Sequence, residues 1–146
     1  MSDVNIKAGK DIVAEELTVL RRSVNWTQCA SCIDVERSID AYPFIVQARN
    51  SEGELIGYVS AFSDEVLITI IGELLVHPIY QRRGIGTALL KKVARRYPGI
   101  PIQAYSLSDS LSFFTRQGYT SSEQIRQVVL DNKIPINEPV VTWATG

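Results

Sequence analysis

"VHPIYQRRGIGTALLKKVARRY", residues 76–97, decides the fold of this chain. An apolar run ends at Val76, and Pro78 forbids its continuation as a strand. The chain then turns basic at Arg82 and Arg83, passes Gly84 and Gly86, and becomes amphipathic. Ile85, Ala88, Leu89, Val93 and Tyr97 recur on one helical face, while Lys91, Lys92, Arg95 and Arg96 fall mostly away from it. Pro98 and Gly99 close the helix. A strand that feeds a helix through a tight turn presents unpaired backbone N–H groups and the positive end of the helix dipole. Such a place suits an anion. Glycine at 84 and 86 lets an anion approach amides that a Cβ would hold off, and supplies φ above zero where the turn needs it. The amides of residues 82–87 would surround a diphosphate, with the Thr87 hydroxyl and the Arg82 or Arg83 side chain as further donors. The same residues also describe a plain helix start with a solvated basic face, and Gly-x-Gly alone does not separate the two. A P-loop is excluded, since no Gly-Lys-Ser/Thr follows, and a dinucleotide fingerprint is excluded by Leu89 in the place of its third glycine.

Outward from this stretch the periodicity changes repeatedly. Val4 to Ala8 alternates as a short strand, Asp11 stands as an N-cap, and Val13, Leu17, Leu20 and Val24 mark a first helix reaching about Asn25. Trp26 to Asp34 reads as a loop and Val35 to Ala41 as a second helix. Phe44 to Arg49 and Leu55 to Ser63 form a hairpin around Asn50 to Gly53, and Asp64 and Glu65 lead into a strand over Val66 to Val76, interrupted by Gly72. Beyond the basic helix come a strand at Ile100 to Ala104, a helix at Leu107 to Gln117 closed by Gly118, and terminal strands, with Val128 to Leu130 and Val140 to Trp143 the clearest. This order describes an α/β fold with a mixed sheet, as a single domain over residues 1–146.

Composition narrows the partners. Fifteen Lys and Arg balance 16 Asp and Glu, so no global field holds nucleic acid or an anionic membrane, and an anion site has to be local. Met1 to Lys10 lacks the apolar core of a signal peptide, and Val66 to Ile71 is too short to span a bilayer, so the expectation is a soluble, cytoplasmic protein. Cys29 and Cys32 form a C-x-x-C, but two Cys and one His cannot complete a four-ligand zinc site. They are read as reduced structural or incidental thiols, and no metal is expected.

Gln81-Arg82-Arg83-Gly84-Ile85-Gly86 resembles the Gln/Arg-x-x-Gly-x-Gly/Ala signature of the GNAT superfamily, the acetyl-CoA dependent N-acetyltransferases. "GELIGYVSAFSD", "GELLVHP" and "LSFFTRQGY" extend the resemblance over about Ile45 to Tyr119. It implies a mostly antiparallel sheet of six to seven strands with about four helices, splayed between the fourth and fifth strands. It also implies acetyl-CoA as co-substrate. The backbone of Leu75 and Val76 would pair with the pantetheine arm, and Arg82, Arg83, Gly84, Ile85, Gly86 and Thr87 would hold the pyrophosphate. Gly72 matches a bulge that opens a cleft for the thioester.

Acetyl transfer to an amine needs a neutral nitrogen, and alkylamines arrive protonated at neutral pH. Glu73 is the candidate base: Ile70, Ile71, Leu74 and Leu75 surround it in sequence, which raises a carboxyl pKa by desolvation. Strand alternation offers the other reading, a Glu73 turned to solvent or to a basic partner. Where the resembling enzymes often carry a tyrosine as acid for the departing thiolate, this chain has Phe114. Phenylalanine packs against pantetheine but donates no proton; Ser106, Ser108, Ser110 or Tyr105 could replace it, or the thiolate could leave unassisted. His77, the single histidine, is read as packing the loop before Pro78. Trp26 in "NWT" and Asp64 after Ser63 resemble acceptor contacts of the small-amine branch, and read equally as a core anchor and a turn residue.

The expected activity is therefore transfer of an acetyl group to a primary amine, of a small molecule, by direct attack in a ternary complex. Two alternatives stand beside it: an acyl-CoA-binding sensor or interaction module with weak or no catalysis, which Phe114 keeps open, and a protein lysine or N-terminal acetyltransferase. The apolar "EPVVTWA" near the C-terminus is a candidate homodimer strand or a sheet edge.

Overall fold

The computed structural model describes residues 3–25, 31–106, 108–130 and 132. The elements follow in the order β1 (Asn5–Ala8), α1 (Ala14–Ser23), α2 (Cys32–Ala41), β2 (Phe44–Arg49), β3 (Leu55–Ser63), β4 (Thr69–Val76), α3 (Ile85–Arg96), β5 (Ile102–Gln103) and α4 (Leu111–Arg116). Among the described residues one sheet of five strands runs β1-β2-β3-β4-β5. Its first four strands are antiparallel and β5 is parallel to β4. The α/β mixed sheet is as expected, but the count of six to seven strands is not. Residues 119–130 form neither helix nor strand, and Val128, Val129 and Leu130 stand exposed without the apolar face that would hold a strand. The expected strand Val140–Trp143 lies outside the described residues.

β3 is central and buried along Leu55 to Ala61, because helices cover both faces of the sheet. On one face Leu17 and Leu20 of α1 and Val35 and Ile39 of α2 pack against Ile45, Tyr58 and Leu75. On the other, Ile85, Leu89 and Val93 of α3 pack with Phe114 against Val46, Ile56, Val59 and Ile71. Each side chain of this size contributes about 1.5–3 kcal/mol on burial, so the sandwich fixes where the helix termini lie.

Local chemistry shifts several boundaries. Asp11 does not cap α1: it accepts from Lys7 Nζ at 3.0 Å and Gln47 Nε2 at 2.6 Å. The helix starts at Ala14, with Glu16 accepting from the Val13 N–H at 3.0 Å. Glu16 also receives both Nη groups of Arg49, at 2.8 and 2.7 Å, which ties α1 to β2 and holds its carboxyl below the usual range. α2 begins at Cys32 because Ser31 caps it, Oγ accepting from the Asp34 N–H at 3.2 Å. β4 begins at Thr69 instead of Val66. Asp64 Oδ1 accepts from the amides of Val66, Leu67 and Ile68 at 2.9, 2.8 and 3.0 Å, which curls that apolar segment into an exposed turn. α4 starts later than expected, after a 3-10 turn at Ser108–Ser110. It ends as expected at Gly118, whose φ of +93° allows the Tyr119 N–H to reach the Phe114 carbonyl at 3.1 Å. Among the described residues no helix is long and apolar enough to cross a membrane.

Candidate active site

β4 delivers the chain to the start of α3 through a 3-10 turn at Pro78–Tyr80, where His77 Nδ1 accepts from the Ile79 N–H at 3.2 Å. His77 thus organises this exit, as its place before Pro78 suggested. Arg82 and Gly84 both take positive φ, +64° and +82°, and the chain enters the helix from Gly84. The Ala88 N–H closes on the Gly84 carbonyl at 3.0 Å, so the amides of Ile85, Gly86 and Thr87 precede the first helical bond and lack helical acceptors. A Cβ on Gly84 would meet nothing within 4 Å, so the space beside Gly84 is open. Arg82 and Arg83 are exposed beside it, the Arg83 guanidinium lying 5.3 Å from the Tyr80 ring centre. Ile85 itself is buried in the core, leaving only its amide for a ligand. Gly86 has a reason that sequence reasoning missed: a Cβ there would stand 3.1 Å from Phe113 Cζ.

The sheet opens beside this loop. β5 pairs with β4 only at Thr69–Ile102 and Ile70–Gln103, so the β4 edge from Ile71 to Val76 has no β5 partner. The His77 N–H donates to the Ile56 carbonyl at 2.8 Å. In an antiparallel ladder that bond turns the peptide groups of Leu75 toward Tyr58 and those of Leu74 and Val76 toward the open edge. The Val76 carbonyl there accepts from Gln81 Nε2 at 2.9 Å. Leu75 is buried on the α1/α2 face. Where the opening begins, Ser60 pairs with Glu73 and Ala61 with Ile71, leaving Gly72 as the extra residue of a bulge.

The bulge gathers polar groups on the α1/α2 face. The Glu73 N–H donates to Ser60 Oγ at 3.0 Å, and the Glu73 carboxylate pairs with Arg21 Nε of α1 at 3.5 Å. Both side chains are nearly enclosed, 13% and 15% exposed. Burial pushes the Glu73 carboxyl above the usual carboxylate range, and Arg21 only partly opposes it. A Cβ on Gly72 would run into the Tyr42 hydroxyl and approach Ser60 Oγ to 2.7 Å. Glycine is therefore what admits the Tyr42 hydroxyl to the bulge. Tyr58 is fully buried, its hydroxyl lies beside Ser60 with no well-formed hydrogen bond among the described residues, and burial followed by the Glu73 charge pushes its pKa up.

The remaining predicted residues are not brought together with these. Phe114 is 7% exposed and turned into the core, its ring edge-on to Phe113 and Tyr119 at 5.3 Å each. Phe113 is the aromatic against Gly86. The Asp64 carboxylate is engaged by its own turn, which lowers its pKa. Trp26 lies outside the described residues, as does Cys29; Cys32 is free and exposed at the start of α2. Arg21, Tyr42, Tyr58 and Ser60 were missed as site residues, since only the packing of α1 and α2 on the bulge shows what they face; Gln81 and Phe113 were missed because their contacts with the Val76 carbonyl and with Gly86 appear only once the loop is folded.

The acetyltransferase (GNAT) family profile matches residues 13–119. The chain belongs to this family. A peptidyl-lysine N-acetyltransferase of Escherichia coli, YiaC, is 32% identical over 93 residues, covering 60% of this chain and 58% of that protein. The match thus spans less than two thirds of that relative. Among solved structures, a putative acetyltransferase from Deinococcus radiodurans superposes with a TM-score of 0.75 at 21% identity, covering 90% of each chain. An aminoglycoside acetyltransferase from an uncultured soil metagenomic sample, in complex with sisomicin, gives 0.71 at 18% identity, covering 88% of this chain and 96% of that one. These likenesses carry the fold. GNAT proteins use acetyl-CoA as co-substrate, and the positive-φ loop, the open space at Gly84 and the free β4 edge fit a diphosphate followed by an amide-bearing arm.

Proposed function

We propose that this protein transfers the acetyl group of acetyl-CoA to a primary amine of a small molecule by direct displacement in a ternary complex. Acetyl-CoA supplies the acyl carbonyl on a thioester, a good leaving group. The amides of Ile85, Gly86 and Thr87, with Arg82 and Arg83, hold the diphosphate; the peptide groups of Leu74 and Val76 bind the arm as an added strand, Gln81 yielding the Val76 carbonyl. Glu73 removes one proton from the acceptor ammonium, directly or through a water. The nitrogen–carbon bond then forms as the carbon–sulfur bond breaks, and the second proton of the nitrogen passes to solvent. Phe114 has no proton to give, so the thiolate leaves unassisted or is protonated from solvent.

The observation that carries this reading is the conjunction, on one strand, of an open edge leading to free helix amides and a bulge bearing a nearly enclosed carboxylate. The small-molecule acceptor is supported by the near enclosure of the Glu73 and Arg21 side chains. A protein lysine as acceptor is the second reading, favoured by the activity of the E. coli relative. Thiol release from acetyl-CoA, measured with a panel of amines and with lysine peptides, decides: turnover with small amines supports the first, turnover with peptides alone the second. Saturable binding without any turnover would leave a CoA-binding module.

A further inference from the structure

The bulge carries more hydrogen-bond donors than it can use. Arg21 is 15% exposed, and its one partner among the described residues is Glu73, reached through Nε at 3.5 Å, an ion-pair distance longer than a good hydrogen bond. Neither Nη group of this nearly enclosed guanidinium has a hydrogen-bond partner among the described residues. The Tyr58 hydroxyl is buried beside Ser60, with no well-formed hydrogen bond among the described residues. It lies within electrostatic reach of Glu73, Tyr42 and Arg21. The Tyr42 hydroxyl, held over Gly72, has no hydrogen bond among the described residues. Ser60 Oγ already accepts from the Glu73 amide. The one carboxylate paired with Arg21 among the described residues is Glu73, which matches it in charge. Donors set in a nearly enclosed place and not engaged by the described residues suit a ligand with lone pairs.

Resting on the acetyl-transfer reading above, we propose that the acceptor is an amine carrying a carboxylate a few ångströms from its nitrogen, as in a small amino acid, and that Arg21 and the Tyr42 hydroxyl bind that carboxylate. The internal pair of Glu73 and Arg21 has the dipole such an acceptor complements: ammonium toward Glu73, carboxylate across the free Nη fork. A polycation would add positive charge where one carboxylate is already balanced, so polyamines are rejected. Arg21 is thus the residue that selects the acceptor, while Glu73 handles the proton.

The test compares amino acids with their decarboxylated amines, valine with isobutylamine and phenylalanine with phenethylamine, by thiol release from acetyl-CoA. Spermidine is added as the polycation. Expected is a kcat/KM ratio favouring the carboxylated member of at least one pair by about tenfold or more, and a fall of that ratio by about tenfold in Arg21→Lys, which keeps the charge and loses the fork. Comparing the ratio between variants cancels the different basicities of the amines. An unchanged ratio in Arg21→Lys, or a wild type that prefers spermidine or the decarboxylated amines, overturns the proposal. If no small amine turns over, the small-molecule acetyl-transfer reading fails separately. Calorimetry with CoA present then decides this one: amino-acid binding weakened in Arg21→Lys supports it, and equal binding of amino acid and amine overturns it.

Discussion

Glu73 and Arg21 set opposite pulls on the proton that acetyl transfer has to remove. Only ionised Glu73 accepts a proton, and burial raises its pKa, so the acid limb of kcat/KM is expected at a higher pH than an ordinary glutamate gives. Arg21 lowers that pKa, so Arg21→Met should carry the limb further toward alkaline pH. A pH–rate profile that stays put or moves toward acid would separate Glu73 from the limb. The linked stability has the same sign. Because the folded-state pKa is raised, the protonated form is favoured on folding, and the Glu73 contribution is greatest below the unfolded value and lost as pH rises through the folded one. Glu73→Gln should cut turnover by about a hundredfold or more with the affinity for acetyl-CoA changed less than about threefold. Tyr58→Phe separates stability from function: deleting a buried hydroxyl with no well-formed hydrogen bond should stabilise the protein by about 1 kcal/mol, roughly 2–4 °C in the unfolding midpoint. A lowered midpoint would mean that the hydroxyl is satisfied in solution.

β4 is where local rules and the site conflict. A regular strand would point Gly72 and Glu73 to opposite faces; the extra residue puts both on the face of α1 and α2. Gly72→Ala drives a Cβ into the Tyr42 hydroxyl and toward Ser60 Oγ, so it should cost about 1–3 kcal/mol in chemical denaturation and lower turnover with it. Full stability in that variant would mean that the bulge tolerates a side chain. The same conflict explains which elements were readable. β2 and β3 came out at their expected limits, because β-branched and aromatic residues bounded by Asn50–Gly53 leave few alternatives. The apolar face of α3 was equally plain. Val66 and Leu67 misled, since apolar residues read as strand until Asp64 is seen to take three successive amides. Asp11 misled in the opposite way: a good capping residue was drawn off by Lys7 and Gln47, a partner from another strand.

In the whole molecule the two halves of the site differ in how far sequence could reach them. The anion loop is local: Arg82 to Thr87 lie in one segment, and their positive φ values and free amides follow from neighbouring residues. The acceptor side is assembled from α1, the end of α2, β3 and β4, and only sheet register and helix packing bring Arg21, Tyr42, Tyr58 and Glu73 together. No spacing in the chain encodes that meeting. Helices cover both faces of the sheet, and the short β4–β5 pairing leaves an open β4 edge that a linear ligand can join.

The proposed reaction depends on a CoA thioester joining that edge with its diphosphate at the start of α3. Calorimetric titration of acetyl-CoA into the wild type and Gly84→Glu tests this. The variant strains a φ of +82° and sets a carboxylate in the open space beside that residue. Saturable binding in the wild type, with affinity at least about a hundredfold weaker in a variant that still unfolds cooperatively, is the expected result. No binding in the wild type, or equal affinity in both, would mean that residues 76–97 only start a helix, and the acetyl-transfer reading would fall with them.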